Sequence, residues 1–102
     1  MIKPTIGRVV WYWPPFKVDQ PNAAFICYVH EDDLVNLSIF DEDGHNFPRT
    51  MVTLFQGKGQ RPSGGFCEWM PYQLESAKGI EALEKKLAEL RADHENFFGK
   101  IG

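Results

Sequence analysis

Only two cysteines occur in 102 residues, Cys27 and Cys67. Each lies among apolar neighbours, Phe25-Ile26-Cys27-Tyr28 and Phe66-Cys67-Glu68-Trp69, so both are expected to be reduced core thiols. No CxxC or HxxxH spacing is present to hold zinc. No apolar run approaches the ~18 residues that a membrane span needs. The start, Met-Ile-Lys-Pro-Thr-Ile-Gly-Arg, lacks the apolar centre of a signal peptide. A basic surplus is also missing, since 11 Lys and Arg stand against 14 Asp and Glu, for a net charge of −3. Broad affinity for duplex nucleic acid is therefore disfavoured, although a local basic patch is not. The GxSxG, HExxH and P-loop spacings are absent. The acids Glu31, Asp32, Asp33, Asp41, Glu42 and Asp43 lack the offsets of a calcium loop and read as solvated turns. His30 and His45 border those acids and read as turn residues. The expectation is a soluble, cytoplasmic protein that is not an enzyme and carries no metal or cofactor.

Aromatic side chains, by contrast, reach 14%. Three Trp, three Tyr and eight Phe can build a core in a chain of one-domain size. The apolar pattern changes character near residue 75. Before it come five short runs. Arg8 to Trp13 is β-branched and aromatic and is stopped by Pro14-Pro15. Ala23 to Val29 and Leu34 to Phe40 follow, joined by a hairpin. In the latter, Val35, Leu37 and Ile39 alternate with Asn36 and Ser38, as in a half-buried strand. Asp43-Gly44 marks a turn. Thr50 to Phe55 is the fourth run, and Phe66 to Met70, closed by Pro71, is the fifth. The pattern predicts a mainly β fold over 1–75, a small five-stranded antiparallel barrel, followed by one C-terminal helix over 76–102.

The helix carries its own signal. Ile80, Leu83, Leu87, Leu90, His94, Phe97 and Ile101 are spaced 3, 4, 3, 4, 3, 4. Such a stripe fits a helix packed on its own barrel or a coiled coil with a second chain. The strict 3-4 spacing favours the second, because helices packed on a globular core show a wider, 3.6-period face. His94 then occupies a core position and reads as a packing residue. Flanking charges choose the orientation. A parallel pair puts Lys86 beside Arg91′, which repels. An antiparallel pair with Leu87 across from Leu90′ puts Lys86 against Asp93′ and Glu84 against Arg91′, and both attract. A homo-oligomer through antiparallel helix pairing is expected, with Ile80, Leu83, Leu87, Leu90, His94 and Phe97 in the seam.

Charge is unevenly placed along the barrel segment. From Asp19 to Phe47 there are acids and no Lys or Arg; from Gly44 to Cys67 there are Arg49, Lys58 and Arg61 and no acid. Gly57, Gly59, Gly64 and Gly65 punctuate that basic stretch, and Trp69 and Tyr72 follow it. Arg offers a fork for phosphate and an aromatic ring offers a stacking face. The combination suits a nucleotide or a short single strand, set against the plainer reading of a polar loop with scattered cations. Trp11 and Trp13 share one face of the first strand, with Val10 and Tyr12 on the other. Both faces cannot lie inside so small a barrel, so one must meet a ligand, the helix or a partner subunit.

Three blocks carry a family likeness: Gly7-Arg8-Val9-Val10-Trp11-Tyr12-Trp13-Pro14, Asp43-Gly44 with Phe47-Pro48-Arg49-Thr50, and Glu68-Trp69-Met70-Pro71-Tyr72-Gln73. Over residues 4 to 74 the chain resembles small proteins of tailed bacteriophages. The resemblance implies a compact barrel in the Src-homology-3 or KOW style, and action in the cytoplasm of an infected bacterium. It brings no catalytic residues. By analogy with small phage proteins that blunt host defence, the expected function is a non-enzymatic sponge that sequesters a nucleotide immune signal where subunits meet. The candidate ligand residues are Arg49, Lys58, Arg61, Trp69 and Tyr72, then Trp11 and Trp13. The alternatives are a protein-interaction module, acting on a host protein or assembling with phage proteins, and a single-strand nucleic-acid accessory protein.

Overall fold

The computed structural model describes residues 1–16 and 19–92, and the backbone of 93–101. The seam side chains expected from His94, Phe97 and Ile101, and that of Asp93, lie outside the described residues. Five strands precede one helix: β1 (Val9–Trp13), β2 (Asn22–Glu31), β3 (Leu34–Phe40), β4 (Asn46–Phe55), β5 (Phe66–Glu68) and α1 (Pro71–Ile101). The strands close into a barrel in the order β1-β2-β3-β4-β5. The chain divides into two units, Met1–Met70 and the helix that begins at Pro71. The mainly β architecture with one C-terminal helix is as the sequence pattern predicts.

Alternation builds the barrel interior. Val10 and Tyr12 of β1, Ala24 and Ile26 of β2, Val35, Leu37 and Ile39 of β3, and Val52 and Leu54 of β4 point inward and are buried. Each such aliphatic side chain contributes about 1.5–3 kcal/mol of transfer free energy. β1 pairs antiparallel with β2 and β5, and β2–β3 and β3–β4 are antiparallel too. The exception to the antiparallel expectation is β4–β5, which is parallel over Thr53↔Phe66, Leu54↔Cys67 and Phe55↔Glu68. A parallel neighbour requires the chain to return before it pairs. The 56–65 loop makes that return.

Three expectations shift, each for a local reason. β4 starts at Asn46, not Thr50, and takes in Pro48. Proline cannot donate to a ladder. It is tolerated because β5 pairs with β4 only at Thr53–Phe55, so this part of β4 has β3 alone as a neighbour. The helix starts at Pro71, not Ser76. Proline suits a first helical position, where its missing N–H is not needed. Cys67 is buried as expected, but Cys27 is exposed. Cys27 follows inward Ile26 and faces outward by simple alternation; the register slips between Ile26 and Tyr28, so the β-bulge there turns Tyr28 outward as well. Burial pushes the Cys67 thiol up to about 12.

β4 also carries a bulge, where Val35↔Val52 is followed by Leu37↔Arg49. There Met51 sits at φ 55, in the left-handed region. Its N–H donates to Asn36 Oδ1 at 2.9 Å, and the same oxygen lies 2.9 Å from His30 Nε2. The β3–β4 turn is held by Asp41, whose Oδ1 accepts the N–H groups of Asp43 and His45 at 2.9 and 2.8 Å. Those bonds, His45 first, hold the Asp41 carboxyl below its ordinary 3.8. Gly44, at φ 84, completes the turn.

Candidate functional site

The expected ligand residues do not converge. Arg61, in the 56–65 loop, lies over the outer face of β1 and β5. Its guanidinium is 5.2 Å from the Trp13 ring centre and 4.9 Å from that of Phe66. It donates to both carboxylate oxygens of Glu68, at 2.8 and 3.3 Å. Glu68 Oε1 also accepts Trp13 Nε1–H at 2.8 Å. The register explains the meeting, since Trp13↔Phe66 and Trp11↔Glu68 are direct partners and so share a face. Phe66 is outward by register yet 1% exposed, because the loop covers it. Phe55 adds an edge contact at 6.5 Å. The outer face of β1 is thus partly covered by the chain's own loop, and the Arg61 charge is met by Glu68.

Arg49 is placed elsewhere. Its guanidinium lies 5.0 Å over the Phe47 ring and donates to Pro48 O at 3.0 Å. Lys58 lines an open cavity of about 430 Å³ together with Glu31, Asp32 and Asp33. Each of the three cations therefore has its own surroundings, two of them aromatic and one acidic. Trp69 is 3% exposed and belongs to the core. Its Nε1–H donates to Gln56 Oε1 at 3.0 Å, and Arg8 lies 5.9 Å over its ring. It offers no free stacking face. Tyr72 is exposed in the first turn of α1. Trp11 is half-buried on the outer face of β1. At Gly64 the chain approaches itself: an added Cβ would meet Pro15 Cα at 2.7 Å.

Sequence reasoning missed two groupings. The first is Gln56, which joins Trp69 to the carbonyls of Ile2 and Asp32. Nothing in a lone Gln announces such a role. The second is an outward patch across β2, β3 and β4, where Tyr28 and Met51 flank His30 and Asn36. The alternation of β2 would have shown it, had the bulge at Cys27 not shifted the phase.

The helix surface is simpler. Every residue from Lys78 to Ala92 is exposed in the single chain. Ile80, Leu83, Leu87 and Leu90 are 56, 62, 52 and 56% exposed. An apolar stripe thus runs along the described part of α1. No described helix is long and apolar enough to cross a membrane. Comparison with protein-family models, curated proteins and solved structures found no match.

Proposed function

We propose that this chain is a non-enzymatic binding protein that self-associates through α1 and presents its barrels to a protein partner. The observation that carries the proposal is the exposed stripe Ile80, Leu83, Leu87 and Leu90. In proteins most helical stability comes from packing an apolar face rather than from intrinsic propensity. The three sequence blocks support a phage origin and a host-cell target. Among ligand classes, a protein is favoured over a nucleotide. Glu68 already holds Arg61, Trp69 is inside, and Arg49 and Lys58 have separate surroundings, whereas Phe25, Tyr28 and Met51 stand exposed on the barrel. The sponge reading keeps one supporting feature, the Arg61–Trp13 stack, from which a phosphate would have to displace Glu68. Mass spectrometry of small molecules released by heating the purified protein separates the two.

The test of self-association is Leu87→Asp with Leu90→Asp. It sets four charges per pair of helices into the seam, where unpaired burial is costly. Light scattering is expected to show a multiple of the chain mass for the parent and a monomer for the variant. A parent that is monomeric at high micromolar concentration, or a variant of unchanged mass, refutes the proposal.

A further inference from the structure

We infer that α1 pairs antiparallel with α1 of a second copy in one register, which holds the two barrel exits about 50 Å apart by the helical rise per residue. The inference rests on the proposed self-association and adds its geometry. Three described residues flank the stripe and decide it: Glu84, Lys86 and Arg91, with their copies across the seam. A parallel pair brings Lys86 beside Arg91′. Antiparallel pairs can align their apolar layers only in steps of one layer. With Leu87 across from Leu90′, Glu84 faces Arg91′, twice by symmetry. One step toward the helix start, with Leu87 across from Leu83′, places Glu84 against Glu84′ and Lys86 against Lys86′. One step toward the end places Arg91 against Arg91′. Each alternative sets like charges together, and like charges across a helix pair destabilise and misdirect it. All three side chains are exposed in the single chain.

That register puts the two-fold axis between Ala88 and Glu89. α1 begins at Pro71, three residues after β5 ends at Glu68. At 1.5 Å per residue the two helix starts are about 50 Å apart. A parallel pair would set them about 10 Å apart, the usual interaxial distance. The antiparallel arrangement makes the protein a two-headed binder. It suits a partner that offers the same epitope twice, where the second contact gains from a raised effective concentration.

The test is distance measurement between spin labels on the full-length protein. Cys27→Ser removes the exposed thiol, and Cys67 is buried with its thiol pushed up to about 12, so it does not compete for label. Labels are placed singly at Tyr72→Cys and Lys78→Cys, both at exposed positions. The expected separations are about 50 Å and about 32 Å, from twice the distance of each position to the axis. Two short, nearly equal distances mean a parallel pair and overturn the inference, while self-association stands. A common shift of about 10 Å in both values, one layer step along the helix, overturns the register. No dipolar coupling at concentrations where the parent is expected to pair overturns self-association itself. Arg91→Glu supplies an independent reading. It should weaken association about tenfold, because two attractions become repulsions. Tighter association of that variant, through a gained contact with Lys86′, overturns the inference as well.

Discussion

Gln56→Ala tests whether the barrel is closed by side-chain hydrogen bonds as well as by strands. Gln56 follows the last residue of β4. Its Oε1 accepts Trp69 Nε1–H at 3.0 Å, and its Nε2 donates to Ile2 O at 2.8 Å and Asp32 O at 2.9 Å. One side chain thereby links the core indole, the N-terminal segment and the β2–β3 turn. Truncation leaves the Trp69 N–H without its acceptor in a residue that is 3% exposed. An orphaned buried donor costs about 1–3 kcal/mol, and losing the two carbonyl contacts near solvent adds about 0.5 kcal/mol each. The expected loss is about 2–4 kcal/mol. For a domain of this size that lowers Tm by roughly 10–25 °C. Thermal and urea unfolding, followed by tryptophan fluorescence, reads it. A loss below about 0.5 kcal/mol would refute the reasoning, because it would mean that the indole N–H finds another partner.

Gln56→Glu refines the test through pH. The substitution keeps an acceptor for Trp69 but sets a carboxylate against the carbonyl oxygens of Ile2 and Asp32. The charged form is disfavoured in the fold, so the new carboxyl titrates above its unfolded value of about 4.3. A group with a raised folded pKa gives stability that is present below the unfolded pKa and lost as pH rises through the folded one. The variant should approach the parent near pH 4 and fall away toward pH 7. A pH-independent deficit would show that lost packing, not charge, is responsible.

Two further predictions follow from single features of the barrel. Met51→Gly should raise stability by about 1 kcal/mol, because Met51 holds φ 55 while 58% exposed, so strain is relieved at little cost in burial; a loss of stability in urea unfolding would contradict it. A thiol reagent at pH 8 should modify Cys27 alone, with Cys67 reacting only after unfolding; two fast equivalents in the folded protein would count against the burial of Cys67.

How far the sequence was legible depended on whether one neighbour or many decided each feature. Strands β1 and β3 and the first half of β2 were readable, because period-two alternation records a two-sided environment directly. The start of β4 was not, because Pro48 looks like a break and only the missing β5 neighbour makes it tolerable. Cys27 was misplaced because its apolar neighbours were read instead of its phase: alternation from Ala24 and Ile26 already turns it outward. β5 has three residues, too few for a period, and both Phe66 and Cys67 are buried for different reasons: one under the loop, one in the barrel. Trp69 could therefore not be sorted into core or surface. The site reading missed one partner at a boundary. The stretch without acids ends at Cys67, and the carboxylate that holds Arg61 belongs to the next residue, Glu68. A count along the chain cannot see a contact across a strand pair.

The sequence holds two apolar surpluses that a small barrel cannot place inside: the outer aromatics of β1 and the heptad stripe. The first is met within the barrel unit. Arg61 lies over Trp13 and Phe66, Glu68 binds Arg61 and the Trp13 N–H, and Trp11 and Trp13 are each half-buried. The second has no cover in the described chain. Ile80, Leu83, Leu87 and Leu90 are each about half exposed, so closing the seam on both helices returns about 1 kcal/mol per side chain. Eight such side chains give about 8 kcal/mol, against an association cost that starts near 4 kcal/mol and rises as side chains are ordered. The central layers alone therefore bring two copies to about millimolar association, and tighter pairing needs further layers. That balance makes the flanking charges decisive. A pairing this close to break-even is steered by terms of a few tenths of a kcal/mol, which a larger apolar seam would override.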